Sequence, residues 1–382
     1  MSTEGAESAE PDRQRSPLPG PPTPVTASRS WYAAGRALWQ QLWSHHWLEA
    51  RRLRTAGVLG MNQRNIDYIG RYNERRLYPG VDDKLRTKLL AREYGVSTPQ
   101  LHGVIRQQHE VRRLEQRIDG LNEFVIKPAK GSGGKGILVI SERRNGALIS
   151  AGGRRMSMDD LRRHVSNTLA GLHSLAGAPD VAIIEERICL DPLFERLSCE
   201  GVPDIRVIVF LGYPVMAMLR LATRASSGKA NLHQGAIGVG LDLGSGQCAY
   251  AVQNDRRVYH HPDTGSELDQ VVIPDWRDLL VLAARCQEMS GLGYLGADLV
   301  IDRQHGPQLL ELNARPGLSV QIANGAGLLP RLRLIESLQR RHESAAERVD
   351  FAMHAFGTPP GAALSPSPHA AEAGSTPAGG VR

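Results

Sequence analysis

The chain has 382 residues, 41% of them hydrophobic and 23% charged, with a formal net charge of +6. That length supports a sizeable core and two or three domains or subdomains, and the balance is ordinary for a soluble globular protein. Apolar runs such as Leu279 to Ala284 are far too short to span a bilayer.

No basic region followed by an apolar stretch opens the chain, so no secretory signal is expected. Cys189, Cys199, Cys248 and Cys286 lie far apart without a C-x-x-C pair. That pattern excludes a zinc site or a disulfide framework and suits a reducing, cytoplasmic location. From Trp31 to Gly120 there are 16 Lys+Arg against 9 Asp+Glu. Such a surplus can attract nucleic acid, anionic lipid or an acidic substrate. A solvated basic face is the favoured reading, and no specific nucleic acid is expected.

Residues 1–30 are rich in Pro, Ser, Thr and Glu and hold almost no large apolar residue, so a disordered tail is expected. A second is expected over residues 357–382, rich in Pro, Ala, Gly and Ser. Between residues 31 and 60 stand four of the five tryptophans, with Trp39, Trp43 and Trp47 on one helical face and Arg51, Arg52 and Arg54 following. Packing of that stripe against its own domain is favoured over peripheral membrane contact through residues 31–56. A second helix is predicted over Asp82–Tyr94, capped by Asp82, with Leu85, Leu89 and Leu90 at helical spacing and Gly95 ending it.

From Phe124 the pattern changes to short β-branched strands joined by glycine-containing turns. Strands are predicted at Phe124–Lys127, Ile137–Ile140, Val181–Glu185, Ile205–Leu211, Val215–Leu221, Leu295–Ile301 and Gln308–Leu312, with helices at Asp159–Leu172 and Trp276–Ser290. This mixture is α+β and not a regular βαβ alternation.

Gly131, Gly133 and Gly136 match G-x-G-x-x-G, but a dinucleotide fingerprint requires a helix next, and Ile137–Ile140 reads as a strand. Gly136 is followed by Ile137, which rules out Walker A. A strand, a flexible loop and a return strand remain: either a plain surface hairpin or a lid over phosphates. Glycines would let backbone N–H groups approach phosphate oxygens, with Lys135 adding charge. Lys127 precedes Pro128, which holds its backbone extended.

The segment Leu295–Asn313 reads as a hairpin turning at Arg303–Gly306, which places Asp298 opposite Glu311, with Asn313 on the same face. Leu299, Ile301, Leu310 and Leu312 would occupy the buried face. Two opposed carboxylates are destabilising unless something cationic lies between them, and these oxygen donors suit Mg²⁺. Asp204 and Arg206 share one face of another strand, Arg220 follows on its return strand, and Lys229 and Asn231 lie in the next loop. Cations converging there would offset charge in phosphoryl transfer; His233 is read as positional.

These motifs in this order resemble an ATP-grasp enzyme over about Asp82–Gly317, and most closely RimK-type α-L-glutamate ligases and their relatives. The resemblance is carried by Phe124–Pro128, Lys130–Gly136, Ile184–Ile188, Asp204–Arg206, Lys229–Gly235, Gly296–Asp298 and Glu311–Asn313. It implies an α+β ATP-grasp fold, two α+β subdomains clasping ATP, preceded by a short helical N-terminal region. It also implies a ligase joining a carboxylate to an amine through an acyl phosphate. The carboxylate would belong to a peptide, a protein or a small molecule, and glutamate would be the first amine to consider.

The resemblance further implies that Lys127, Lys135, Gly133, Gly134, Asp204, Lys229 and Asn231 contact ATP. Glu185, Glu186, Arg187 and Ile188 would form the adenine-reading hinge. Asp298, Glu311 and Asn313 would hold two Mg²⁺, with Mn²⁺ able to substitute, and Arg206, Arg220 and Arg315 would address the acyl phosphate or a substrate carboxylate. Arg315 stands where RimK-type ligases usually have serine, and Ala236 where many relatives have glycine. The expected division is residues 31–120 as a basic helical region and first subdomain, 121–190 as the central lid subdomain, and 191–345 as the C-terminal subdomain with the metal site. A phosphotransferase and a non-catalytic nucleotide-binding module are the alternatives.

Overall fold

A computed structural model describes residues 51–131, 133–174 and 177–359. The tryptophan stripe, the tail over residues 1–30 and the tail beyond Pro359 lie outside the described residues. The elements below belong to one compact unit that begins at Leu53.

The N-terminal part of this unit is built of short helical pieces, among them Met61–Gln63, a π-helical stretch Arg64–Ile69 and Pro79–Asp82. Packing holds them in place. The rings of Tyr68 and Tyr72 meet Phe210 edge-on at 5.5 and 5.0 Å. Asn73 is buried, and its Nδ2 donates to the carbonyls of Tyr294 and Ala314 at 2.6 and 3.1 Å while its Oδ1 accepts from the Tyr294 N–H at 2.8 Å.

Helix α1 spans Lys84–Glu93, and its cap is Asp83, not the expected Asp82. Asp82 closes the preceding turn. The chain is first extended at Asp83, whose Oδ1 accepts from the N–H groups of Leu85 and Arg86. The apolar pattern also misleads here, because Leu89 is half exposed and Lys88 is buried.

Among the described residues, thirteen strands form two antiparallel sheets. Strands β1 (Leu101–Ile105), β2 (Phe124–Pro128), β3 (Leu138–Arg144), β4 (Ala147–Ser150), β5 (Arg155–Met156) and β6 (Ala182–Glu185) make the first, in the order β1-β6-β2-β3-β4-β5. Helix α2 (Met158–Leu169) starts at a Ser157/Asp160 capping box and packs Leu161 and Val165 into the same core as Phe124, Ile126 and Ile184. Strands β7 (Asp204–Phe210), β8 (Tyr213–Leu221), β9 (Ile237–Leu241), β10 (Cys248–Gln253), β11 (Arg256–Arg257), β12 (Tyr294–Asp302) and β13 (Gly306–Asn313) make the second. Their order is β11-β10-β9-β8-β7-β12-β13.

Helices α3 (Trp276–Ser290) and α6 (Ala345–Phe356) pack on the second sheet, as does the six-residue α4 (Ser319–Asn324); α5 (Leu329–Ser337) follows α4 in the chain. Gly240 is what lets α4 lie close, since a Cβ there would sit 2.3 Å from the Ala323 carbonyl oxygen. The seven strands expected from sequence are all present, with ends moved by at most four residues, and α3 has the expected bounds. Thr358, within the segment expected as a tail, donates from N and Oγ1 to Asp242 Oδ1 at 2.7 and 2.8 Å.

Asn73→Ala should lower the unfolding free energy by about 2–4 kcal/mol in urea titration, because it leaves buried backbone groups without partners. A loss below about 1 kcal/mol would show that the N-terminal pieces are anchored elsewhere.

Candidate active site

Residues directly paired across antiparallel strands share a face. Asp298 on β12 pairs with Arg206 on β7, and Asp204 on β7 pairs with Arg220 on β8, so one face of the second sheet gathers two acids and two arginines. Arg206 grips Asp298 in bidentate fashion, Nε to Oδ1 at 2.7 Å and Nη2 to Oδ2 at 2.6 Å. Arg220 does the same to Asp204 at 2.5 and 2.6 Å and also reaches Asp298 Oδ2 at 2.8 Å. Burial opposes the charge on Asp298, but Arg206 and then Arg220 outweigh it and hold the carboxyl down at about 2. Asp204 has fewer counter-charges, so burial, reinforced by Asp298, pushes it up to about 6.

Asp298 pairs with Glu311 on β13, as the hairpin predicted. A bulge after that pair turns Leu309 inward where Leu310 was expected. Glu311 is the more open acid, with Lys84 Nζ 3.3 Å from its carboxylate, and Asn313 Nδ2 lies 3.2 Å from Asp298 Oδ2. Lys84 also donates to the Gly131 carbonyl at 2.7 Å, which ties the root of the glycine-rich loop to the acidic hairpin.

On the first sheet, Lys127 points at Glu185, which is paired on its other oxygen with Lys88 at 2.9 Å. All three are buried. Lys127 and then Lys88 outweigh burial and hold Glu185 below the usual carboxylate range, while burial lowers Lys88. The loop between β2 and β3 is the expected strand-loop-strand. Gly133, Gly134 and Gly136 have positive φ, Lys135 is exposed, and Gly136 lies against the His173 ring, where a Cβ would come within 2.5 Å. His164 Nε2 lies 3.1 Å from the Gly136 carbonyl oxygen.

The segment after β6 runs to the acidic hairpin. Glu186 N–H donates to Gln100 O at 2.9 Å, Arg187 pairs with Glu123 at 2.6 Å, and Ile188 is half-buried. Next in sequence, Cys189 N–H donates to Asp302 Oδ2 at 2.8 Å. Of the other expected residues, Lys229 is exposed, and Asn231 accepts from His233 N–H and so caps its own turn. Arg315 is not in the arginine cluster. It lies over the Tyr78 ring at 5.1 Å and pairs with Asp82 at 3.2 Å.

Sequence reasoning missed Lys84 and Lys88. Their signal was present: two lysines at i and i+4 directly after a capping acid, one of them at a position of the apolar stripe.

Among the described residues, no group of three or more His, Cys, Asp or Glu is spaced to hold a metal ion. The cations demanded by the opposed acids are here Arg206, Arg220 and Lys84. Asp298, Glu311 and Asn313 nevertheless form a set of oxygen donors of the kind Mg²⁺ takes, with Glu311 the open member, and in that sense the residues fit the ion.

Two antiparallel sheets, a glycine-rich hairpin on the first and an acid–arginine face on the second define an ATP-grasp protein. The chain belongs to the sugar-transfer associated ATP-grasp family, whose model matches residues 63–337. No curated protein matches it in sequence. Similar solved structures include the ATP-grasp ligase PsnB complexed with minimal precursor, at 15% identity and TM-score 0.36, covering 70% of this chain and 62% of that one. D-alanyl-alanine synthetase A from Vibrio cholerae O1 biovar eltor is similar at 10% identity and TM-score 0.40, covering 73% and 66%. D-cycloserine synthetase DcsG is similar at 18% identity and TM-score 0.37, covering 72% of each chain.

Arg220→Leu should cost about 3–5 kcal/mol at pH 8, because it leaves buried carboxylates short of a partner. Asp204 is raised to about 6 from 3.8, so its charge costs folded-state stability above pH 6, and that cost fades as pH falls towards 4. The variant's deficit should therefore be smaller at pH 5 than at pH 8 in urea titrations. An equal deficit at both would show that Asp204 does not take up the proton.

Proposed function

We propose that the chain is an ATP-dependent carboxylate–amine ligase working through an acyl phosphate. The observation that carries this reading is the buried acid–arginine face, with Glu311 and Lys84 beside it. Three carboxylates (Asp204, Asp298, Glu311) meet three cations (Arg206, Arg220, Lys84), so the face is neutral before any substrate arrives.

On this reading Lys127, with Lys84 and Lys88 beside it, attracts the triphosphate, and a lysine must leave its carboxylate to do so. The loop Lys130–Gly136 with Lys135 covers the phosphates and excludes water. The segment Glu185–Ile188 reads adenine, and Lys229 and Asn231 line the nucleotide. Asp298, Glu311 and Asn313 are the residues that would hold Mg²⁺, which when bound supplies positive charge to the phosphate oxygens.

A carboxylate oxygen attacks the γ-phosphorus and ADP leaves. The amine nitrogen then attacks the acyl carbon, phosphate leaves, and the amine gives up its proton. Arg206 or Arg220 stabilises the oxyanion of that second step, and Arg315 grips a substrate carboxylate as a planar fork. The subdomains are taken as residues 31–120, 121–190 and 191–345. Glutamate remains the first amine to try, by resemblance to RimK-type ligases. Among the described residues no helix is long and apolar enough to cross a membrane.

With ATP, Mg²⁺ and a panel of carboxylates, hydroxylamine should trap the acyl phosphate as a hydroxamate. Glu311→Ala should reduce ADP release by about 100-fold or more without changing the circular dichroism spectrum. If oxygen-18 from a working carboxylate never enters the released phosphate, the acyl-phosphate route is wrong.

A further inference from the structure

The acid–arginine face continues sideways across the second sheet. Arg220 on β8 pairs with Gly238 on β9, and Gly238 pairs with Val252 on β10, so all three share that face. Gly238 has no side chain to fill the space, and Leu232 closes over it: a Cβ there would lie 2.5 Å from the Leu232 side chain. Beside this point a cavity of about 250 Å³ opens, with Leu232, Ala236 and Val252 on the sheet side and Ile322 on α4. An apolar cavity of about 150 Å³ takes up a benzene ring, so this one has room for a six-membered ring with a substituent.

The neighbouring cluster is balanced in charge, whereas this cavity carries an unbalanced acid on its wall. Asp255 is the one lining residue charged at neutral pH with histidine neutral; His233, Asn254 and Ser319 add neutral polar groups. An aspartate on an apolar pocket favours a cation. Val252 lies two strand spacings from Arg220, roughly 10 Å. The cavity and the cluster therefore lie side by side on one face, with Leu232 and Ala323 over Gly238 between them.

We infer that this cavity binds the body of the amine substrate: a compact apolar group whose far end carries a cation or a hydrogen-bond donor directed at Asp255. The inference rests on the ligase reading for the identity of its occupant, but the cavity's selectivity can be measured without turnover. Ile322 is 46% exposed and forms part of the wall, so a larger side chain there fills the cavity without disturbing the core. Asp255 has a φ of 60°, a conformation that asparagine tolerates.

The test uses cyclohexylamine and cyclohexanecarboxylate as probes on the full chain, with binding read by ligand-observed NMR at pH 7. Cyclohexylamine should bind with a dissociation constant on the order of millimolar, as expected for seven non-hydrogen atoms. Cyclohexanecarboxylate should bind at least about fivefold more weakly. Ile322→Trp should abolish amine binding, and Asp255→Asn should weaken it about three- to fivefold, the usual worth of an exposed charge pair. Both variants should form hydroxamate as well as the parent chain, since hydroxylamine is too small to need the cavity. Equal binding of the two probes, or amine binding unchanged in Ile322→Trp, overturns the inference. Absence of hydroxamate in the parent chain instead overturns the ligase reading and leaves the binding result standing.

Discussion

The rest of the site depends on one constraint: two aspartates buried on the same face of a sheet can stay there only with guanidinium forks between them. Asp298 is 1% exposed, and an unpaired carboxylate at that depth would give up its charge or unfold the sheet. Arg206 and Arg220 remove that penalty because each supplies two parallel N–H donors to a planar carboxylate. Their placement is a matter of register, since a slip of one residue in β7 would turn both its charged side chains to the opposite face. The network therefore locks β8, β7 and β12 together and leaves Glu311, at the sheet edge, as the acid with room for a ligand.

The two sheets are joined through that same edge. Lys84 touches both Glu311 and the root of the glycine-rich loop, and the backbone of Cys189 is held by Asp302 at the end of β12. Lys84 thus ties the root of the loop to the acidic hairpin through one shared ammonium. The N-terminal pieces act from the other side. Arg64 donates to Pro316 O at 2.8 Å, Asn73 to Ala314 O at 3.1 Å, and Asp82 pairs with Arg315, so three successive residues beyond β13 are held from one segment.

Much of this was legible in the residues themselves. Alternation over Leu295–Asn313 placed Asp298 against Glu311, and the strand pattern of Ile137–Ile140 excluded a helix after the glycine-rich loop; both hold in the fold. The errors share a cause. Asp82 and Asp83 are equivalent as caps in sequence, and only the turn Pro79–Asp82 decides between them. Leu89 fits the apolar stripe better than Lys88, yet Lys88 is buried because Glu185, 97 positions along the chain, supplies its counter-charge. Leu310 follows strict alternation, and the bulge that displaces it forms only when β13 is paired.

By itself, then, the sequence determined what has a short period: strands and helices, the hairpin register, and the motif order that marks an ATP-grasp chain. These follow from backbone geometry repeating every two or 3.6 residues, so a local window contains them. Tertiary structure alone decided which charges meet. Arg315 was grouped by resemblance with Arg206 and Arg220, but it rests on Tyr78 and Asp82, away from their carboxylates. The cavity beside Val252 likewise has no local signature, because its walls come from residues 232–236, 252–255 and 319–322. Burial and Coulomb energies depend on distance through space, and residues that far apart in the chain acquire a distance only when the sheet forms.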